Sequence, residues 1–115
     1  MNLQKHKPYR NRAMLDAARD MPCIRCHVEG TTRAAHYNGQ GQRMYGKGRG
    51  QKPSDFMTAE FCLKCDYEFS EGHMPSWIVS IDDCPDEFKQ DLRDAEFHHW
   101  IAMTNIRRLE NGIKF

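Results

Sequence analysis

Two Cys-x-x-Cys pairs have the clearest chemical spacing in this chain. Cys23 and Cys26 form the first pair, and Cys62 and Cys65 form the second. Each pair can present two thiolates from one turn of the chain, and four thiolates satisfy the tetrahedral coordination of zinc. The spacing therefore predicts a structural zinc site that closes the long segment between the pairs. The alternative that stays open is a set of buried free thiols.

His36 is the histidine best placed for catalysis, because it lies between the two cysteine pairs and borders a basic loop. That loop, residues 38–52, contains five glycines and four basic residues. Hydrolysis of a phosphodiester needs a base for water, a hard cation for the phosphate and basic groups that hold the strand. A neutral imidazole near pH 7 suits the first task. His36 is therefore a candidate general base.

The near-neutral net charge of +1 hides an asymmetry along the chain. Residues 1–52 hold 11 lysines and arginines against 3 acidic residues, whereas residues 53–96 hold 3 against 12. A basic half can bind a polyanion such as DNA even when the whole chain is nearly neutral. The two halves could equally pair with each other, and the sequence leaves both interpretations open.

Length and composition predict one domain over residues 1–115 with a small core. The chain is 39% apolar and 29% charged, so a bound metal is an expected source of extra stability. No run approaches the 18 apolar residues of a membrane span, and the polar, basic N-terminus does not resemble a secretory signal. The expected location is the cytoplasm, without membrane contact.

Periodicity predicts an α+β fold. The expected elements are a flexible tail over 1–8, a helix over 9–21, strands over 31–36 and 56–61, a helix from the second cysteine pair to Gly72, and a long helix over 85–111. Residues 77–81 could be a strand or one helical turn. The long helix carries apolar residues at spacings of four and three, which predicts its core face: Phe88, Leu92, Ala95, His99, Met103 and Ile106.

Several short motifs together resemble the HNH (ββα-metal) nuclease superfamily, and in particular small prophage nucleases akin to the RecA-dependent phage nuclease Ref. The matching pieces are Cys23, Ala35-His36, Gly46-Lys47-Gly48, Lys52-Pro53-Ser54-Asp55, Cys62-x-x-Cys65 and the closing Asn111-Gly112-Ile113. The resemblance covers about residues 10–113. It implies a zinc-pinned hairpin and helix, and a DNA endonuclease of phage or prophage origin in a bacterial host, linked to recombination.

The resemblance also implies roles for individual residues. His36 would be the general base, and a Mg²⁺ or Mn²⁺ ion would lie between it and the helix that begins near Cys65. Asp66 stands where the family has histidine, and a carboxylate is a good ligand for these hard cations. His73 could share that helix face, and Asn38 is a candidate for the middle asparagine of HNH. The expected DNA contacts are Arg43, Lys47, Arg49 and Lys52, with Tyr37 or Tyr45 stacking on a base.

Three functions stay open at this point. The first is a metal-dependent endonuclease, with a RecA-type recombinase filament as a possible partner. The second is a zinc-pinned DNA-binding or recombination-accessory module without catalysis, in which Asp66 only caps its helix. The third is an adaptor that binds proteins through the acidic stretch 82–96, although such a stretch is more often a solvated face.

Overall fold

A computed structural model describes residues 9–37, 53–70 and 74–115 of this chain. The described part is a small α+β protein, as the periodicity predicts. Along the chain the elements are helix α1 (Arg12–Ala17), a 3₁₀ turn (Ala18–Asp20), strands β1 (Arg33–His36) and β2 (Thr58–Phe61), and helices α2 (Leu63–Ser70), α3 (Ser76–Val79) and α4 (Asp86–Glu110). In the parts of the chain covered by these ranges, every helix is too short or too polar to cross a membrane.

Helix α1 begins at a side-chain cap. The Asn11 Oδ1 atom accepts a hydrogen bond from the Met14 backbone N–H at 3.1 Å, which satisfies one of the amides that a helix start leaves unpaired. Met14 and Ala18 are fully buried on the inner side of this segment. The predicted helix over 9–21 therefore exists, but it is shorter and ends in a 3₁₀ turn.

Strands β1 and β2 form an antiparallel two-stranded sheet. The register pairs Arg33 with Phe61 and His36 with Thr58, which fixes the position of His36 at the end of β1. All four residues of β2 are buried, because both of its faces and its outer edge are covered. On that outer edge the Glu60 N–H donates to Thr104 Oγ1 at 3.1 Å, and the Glu60 carbonyl accepts from the Ile24 N–H at 2.8 Å.

The core is an aromatic cluster between the sheet, α2 and α4. The ring of Phe61 stacks on Phe69 at a centroid distance of 5.2 Å, and Phe97 packs edge-on against both at 5.3 Å. Tyr37 belongs to the same cluster and is 1% exposed, with its ring 5.4 Å from that of Phe97. The prediction that Tyr37 could stack on a nucleic-acid base is therefore wrong, because its ring is part of the core.

Helix α4 closely matches the predicted span of 85–111. Pro85 precedes its first turn, and Gly112 ends it with a positive φ of 76° that favours glycine. The Ile113 N–H then donates back to the Arg108 carbonyl at 2.9 Å, which satisfies a backbone group at the helix end.

The predicted core face of α4 is wrong. The helix buries a different set of residues, which recurs at spacings of four and three: Phe97, Ile101, Thr104 and Arg108. Phe88 and Ile106 from the predicted face are 55% and 50% exposed, and His99 is exposed too. Apolar periodicity missed the true face because half of it is polar. Thr104 binds the edge of β2, and the Arg108 guanidinium donates to Thr58 Oγ1 at 2.6 Å.

Candidate metal centre and basic cleft

The four cysteines of the two pairs come together in one cluster. Their sulfur atoms all lie within 4.8 Å of one another, and the Cys26 and Cys62 sulfurs are 3.5 Å apart. Zinc–sulfur bonds of about 2.3 Å in a tetrahedron would separate the sulfurs by about 3.8 Å, so the cluster fits the ion after a small contraction. Cys23, Cys62 and Cys65 are buried, and Cys26 is exposed. Four cysteines in this arrangement could bind a structural metal such as zinc.

The local backbone explains how each pair presents its sulfurs. The first pair lies in a tight turn, where the His27 N–H donates to the Cys23 carbonyl at 2.9 Å and His27 adopts a left-handed φ of 67°. In the second pair, Cys62 lies between β2 and α2, and Cys65 lies in the first turn of α2. The cluster therefore ties the N-terminal turn to the junction of β2 and α2.

The hydrogen bonds within the cluster shift the pKa values of its cysteines in opposite directions. The pKa of Cys23 is lowered to about 3, chiefly because the Cys65 thiol donates a hydrogen bond to its sulfur, and the same bond raises the pKa of Cys65. The Cys26 N–H also points at the Cys23 sulfur at 3.5 Å. These donors stabilise thiolate, which is the form that binds a metal.

Arg25 connects the cysteine cluster to the rest of the molecule. Its Nη1 atom lies 3.5 Å from the Cys65 sulfur and 3.2 Å from Glu68 Oε1, and its Nε donates to Glu96 Oε2 at 2.7 Å. Glu96 also accepts hydrogen bonds from the indoles of Trp77 and Trp100, at 2.6 and 2.9 Å. Glu96 is thus a junction between the cluster, α3 and α4.

His36 has a carboxylate partner. Its Nε2 atom lies 2.9 Å from Asp55 Oδ1, and both side chains are largely buried. The other Asp55 oxygen accepts from the Asn11 N–H at 2.7 Å, and Arg10 approaches Oδ1 at 3.4 Å. The Asp55 carbonyl accepts from the Thr58 hydroxyl, so both backbone and side chain of this aspartate are held. A carboxylate held in this way orients the imidazole and stabilises its protonated form.

This pair lies in a cleft between α1 and β1. Two adjoining hollows, each of about 230 Å³, share Arg12 and Leu15. Arg12 is highly accessible, with a side chain 82% exposed, and it pairs with Asp16 at 3.2 Å. The residues that line the two hollows are Arg10, Arg12, Leu15, Asp16, Arg19, Arg33, Ala34, His36 and Asp55. Arg10 and Arg12 line the hollow that contains His36, and Arg19 and Arg33 line the neighbouring one. Arginine side chains are well suited to bind anions such as phosphate groups.

Asp66 lies within the first turn of α2 and not at the cap position before the helix. Helix α2 begins three residues earlier, at Leu63, so the hypothesis that Asp66 is only the N-cap is wrong. Its Oδ2 atom pairs with Arg33 Nε at 3.2 Å. Arg33 and His36 are three residues apart on β1 and therefore project from opposite faces of the strand. The contacts described thus give His36 and Asp66 separate partners.

A catalytic divalent ion stays a prediction. Within residues 9–37, 53–70 and 74–115, the four cysteines are the one group of three or more metal-ligating side chains. His73 and Asn38, predicted near that ion, lie outside the described residues. So do the predicted DNA contacts of the basic loop: Arg43, Tyr45, Lys47, Arg49 and Lys52.

Asp55, Arg10 and Arg12 are the site residues that sequence reasoning missed. Asp55 is part of the Lys52-Pro53-Ser54-Asp55 stretch, which was a signal for its importance but not for its partner. Arg10 and Arg12 belong to a predicted helix that carried no expected function. Their proximity to His36 depends on the packing of α1 against β1, which local patterns do not reveal.

A comparison of this chain with protein-family models, with curated proteins and with solved structures finds no match.

Proposed function

We propose that this chain is a zinc-pinned DNA endonuclease of the HNH type, which hydrolyses phosphodiester bonds in the cleft between α1 and β1. The observation that carries the proposal is the 2.9 Å contact between His36 Nε2 and Asp55 Oδ1 in a cleft lined by arginines. A base oriented by a carboxylate, next to cationic side chains, is the combination that attack of water on a phosphate diester requires.

In the proposed mechanism, His36 removes a proton from the attacking water. Asp55 holds the ring and stabilises the imidazolium that forms, and the contact with the Asn11 N–H keeps that carboxylate in place. Arg10 and Arg12 bind the non-bridging phosphate oxygens and stabilise the negative charge that develops on them. The protonated His36 can later return its proton to a leaving oxygen or to solvent.

The proposal keeps a divalent ion, Mg²⁺ or Mn²⁺, as the second contributor to catalysis. Such an ion, when bound, would act as a Lewis acid on the phosphate. His36 and Asp55 supply ligand types that suit it, whereas Asp66 pairs with Arg33, which projects from the opposite face of β1, and would have to move to join them. Both carboxylates already pair with an arginine, Asp55 with Arg10 and Asp66 with Arg33, so the ion would have to compete for them.

The structural role of zinc is part of the same proposal. Zinc would join the turn around Cys23 to the start of α2, and this holds β2 against β1 and keeps His36 in register. The phage origin, the recombinase partner and the cytoplasmic location stay predictions from the sequence.

Cleavage of labelled single-stranded and supercoiled DNA tests the proposal. The zinc-loaded protein would be assayed in metal-free buffer and with Mg²⁺ or Mn²⁺, with and without a recombinase filament. We expect His36→Ala to lose cleavage and Asp55→Asn to lose at least about 100-fold. The matched control is His99→Ala, because His99 is exposed on α4 and distant in sequence from the cleft. Zinc content and circular dichroism of each variant report whether the fold is intact.

Asp66→Ala separates the two roles of that residue. If Asp66 binds the catalytic ion, the variant loses cleavage and higher Mn²⁺ partly restores it. If Asp66 only pairs with Arg33, cleavage stays near the wild-type rate, because one partly exposed ion pair adds little to stability.

The second candidate function is a DNA-binding module without catalysis. It is favoured by the pairing of both carboxylates with arginines. Among the described residues, the four cysteines are also the one group of three or more metal ligands. It predicts salt-sensitive DNA binding through the cleft and no cleavage with either ion or with the filament.

A further inference from the structure

The outer face of α4 carries an apolar stripe that points away from the core. Phe88 and Ile106 are 55% and 50% exposed, and Met103 is 39% exposed. At 100° per residue these side chains lie on the side of the helix opposite to Phe97 and Ile101, which face the core. The outer stripe consists of Phe88, Leu92, Ala95, His99, Met103 and Ile106. Helices with two apolar faces need a second partner to cover the outer one.

We propose that the outer stripe is the interface of a homodimer in which two α4 helices pair antiparallel. The spacing of the stripe reads almost the same from either end, with large residues at both ends and Ala95 and His99 in the middle. In an antiparallel pair Phe88 faces Ile106 of the second copy. Leu92 then faces Met103, and small Ala95 faces His99, so each large side chain meets a complementary one.

A parallel pair fits the same stripe less well. It would place His99 against His99 and Ala95 against Ala95, so that two rings crowd at one level and a gap opens at another. The antiparallel arrangement also aligns the positive end of one helix with the negative end of the other. Both considerations select the antiparallel orientation.

Other occupants of the stripe match it less well. Asp86, Glu87 and Asp91 are exposed at the N-terminal end of α4, and these charges disfavour an anionic membrane or a nucleic acid. Residues 1–8 and 38–52 lie outside the described part and are rich in polar and basic residues. A second copy instead offers the same six-residue stripe.

The size of the stripe sets the expected strength of the dimer. The stripe runs from Phe88 to Ile106, which is about 27 Å along the helix, and it is about 10 Å wide, so two stripes together cover a footprint of roughly 550 Å². Interfaces that bury less than about 1,200 Å² of accessible surface are typical of weak, transient complexes, and the outer stripe belongs to this class. We therefore expect a reversible dimer with a dissociation constant of about 1–100 μM.

Sedimentation equilibrium of the zinc-loaded full chain over a range of concentrations tests the proposal. The wild type should dimerise in the micromolar range. Ile106→Asp, which places two charges in the interface, should weaken the dimer by roughly 100-fold or more. The matched control is Leu63→Asp on α2, since Leu63 is 51% exposed but lies off the stripe, and it should dimerise like the wild type. Zinc content and circular dichroism verify each fold.

A double variant tests the orientation of the two helices. Leu92→Lys and Met103→Glu should each weaken the dimer alone, whereas the double variant should dimerise again. In the antiparallel pair each lysine meets a glutamate, and in a parallel pair like charges would meet. A wild type that stays monomeric up to about 1 mM, or an Ile106→Asp variant that dimerises normally, would overturn the proposal. A double variant weaker than both single ones would overturn the antiparallel arrangement.

Discussion

Replacement of Glu96 by glutamine should destabilise the protein and weaken its metal centre at the same time. Glu96 accepts three hydrogen bonds, from Arg25 Nε at 2.7 Å, Trp77 Nε1 at 2.6 Å and Trp100 Nε1 at 2.9 Å. All three partners are donors, and a carboxylate offers only acceptors. A glutamine amide must therefore turn its NH₂ group toward at least one donor, and it cannot neutralise Arg25.

The size of the effect follows from these contacts. The Arg25–Glu96 ion pair is largely buried, with side chains 17% and 13% exposed, so solvent screens it only partly. A charged hydrogen bond contributes about 1.5–3 kcal/mol, and breaking a buried pair costs about 3–5 kcal/mol. Arg25 keeps its contact with Glu68, which offsets part of the loss. We expect Glu96→Gln to lower the free energy of unfolding by about 2–4 kcal/mol, which lowers Tm by about 6–20 °C.

Urea unfolding followed by circular dichroism measures this change, and competition with a chromophoric chelator measures zinc affinity. Because Arg25 also approaches the Cys65 sulfur, the zinc affinity should fall by about 10- to 100-fold. Asp91→Asn, an exposed position on the same helix, is the control and should change stability by less than about 0.5 kcal/mol. A Glu96→Gln variant as stable as that control would refute the role of Glu96 as a junction.

Removal of zinc by a strong chelator should unfold the chain. Binding of structural zinc contributes about 10–16 kcal/mol, whereas the free energy of unfolding of a small domain is only about 5–15 kcal/mol. An unchanged circular dichroism spectrum after complete removal of zinc would contradict this prediction. Glu60→Gln should lower the free energy of unfolding, measured in urea, by about 3–5 kcal/mol, because the Glu60 carboxylate is 1% exposed and binds Arg107 at 2.6 Å. A loss below about 1 kcal/mol would show that this ion pair does not stabilise the fold. Arg12→Glu should weaken DNA binding and reduce the slope of log binding constant against log salt concentration by about one phosphate contact. Lys89→Glu on α4 is the control and should leave both unchanged. Equal effects of both variants would exclude the cleft as the binding site.

The elements and the cysteine cluster could be predicted from the sequence because local signals specify them. The span of α4 follows from Pro85, the acidic first turn and Gly112, which act within a few residues of each end. The cluster follows from two short spacings that constrain sulfur positions directly. These features depend little on how the elements pack together.

The face of α4 and the partner of His36 could not be predicted in this way. The buried face of α4 includes Thr104 and Arg108, which bind polar groups of β2, so hydrophobicity selected the outer stripe instead. The contact between His36 and Asp55 joins residues 19 positions apart, on either side of the basic loop. Such pairings depend on tertiary packing, which a single sequence does not specify.

The most direct test of the proposed function is single-turnover cleavage of supercoiled DNA by wild-type protein and by His36→Ala, at matched zinc content. The reaction would contain Mg²⁺ or Mn²⁺ and would be repeated with a recombinase filament. The proposed mechanism predicts nicking by the wild type and loss of at least about 100-fold in the variant, with DNA binding retained. Equal cleavage by both proteins, or binding without cleavage by the wild type under every condition, would contradict it.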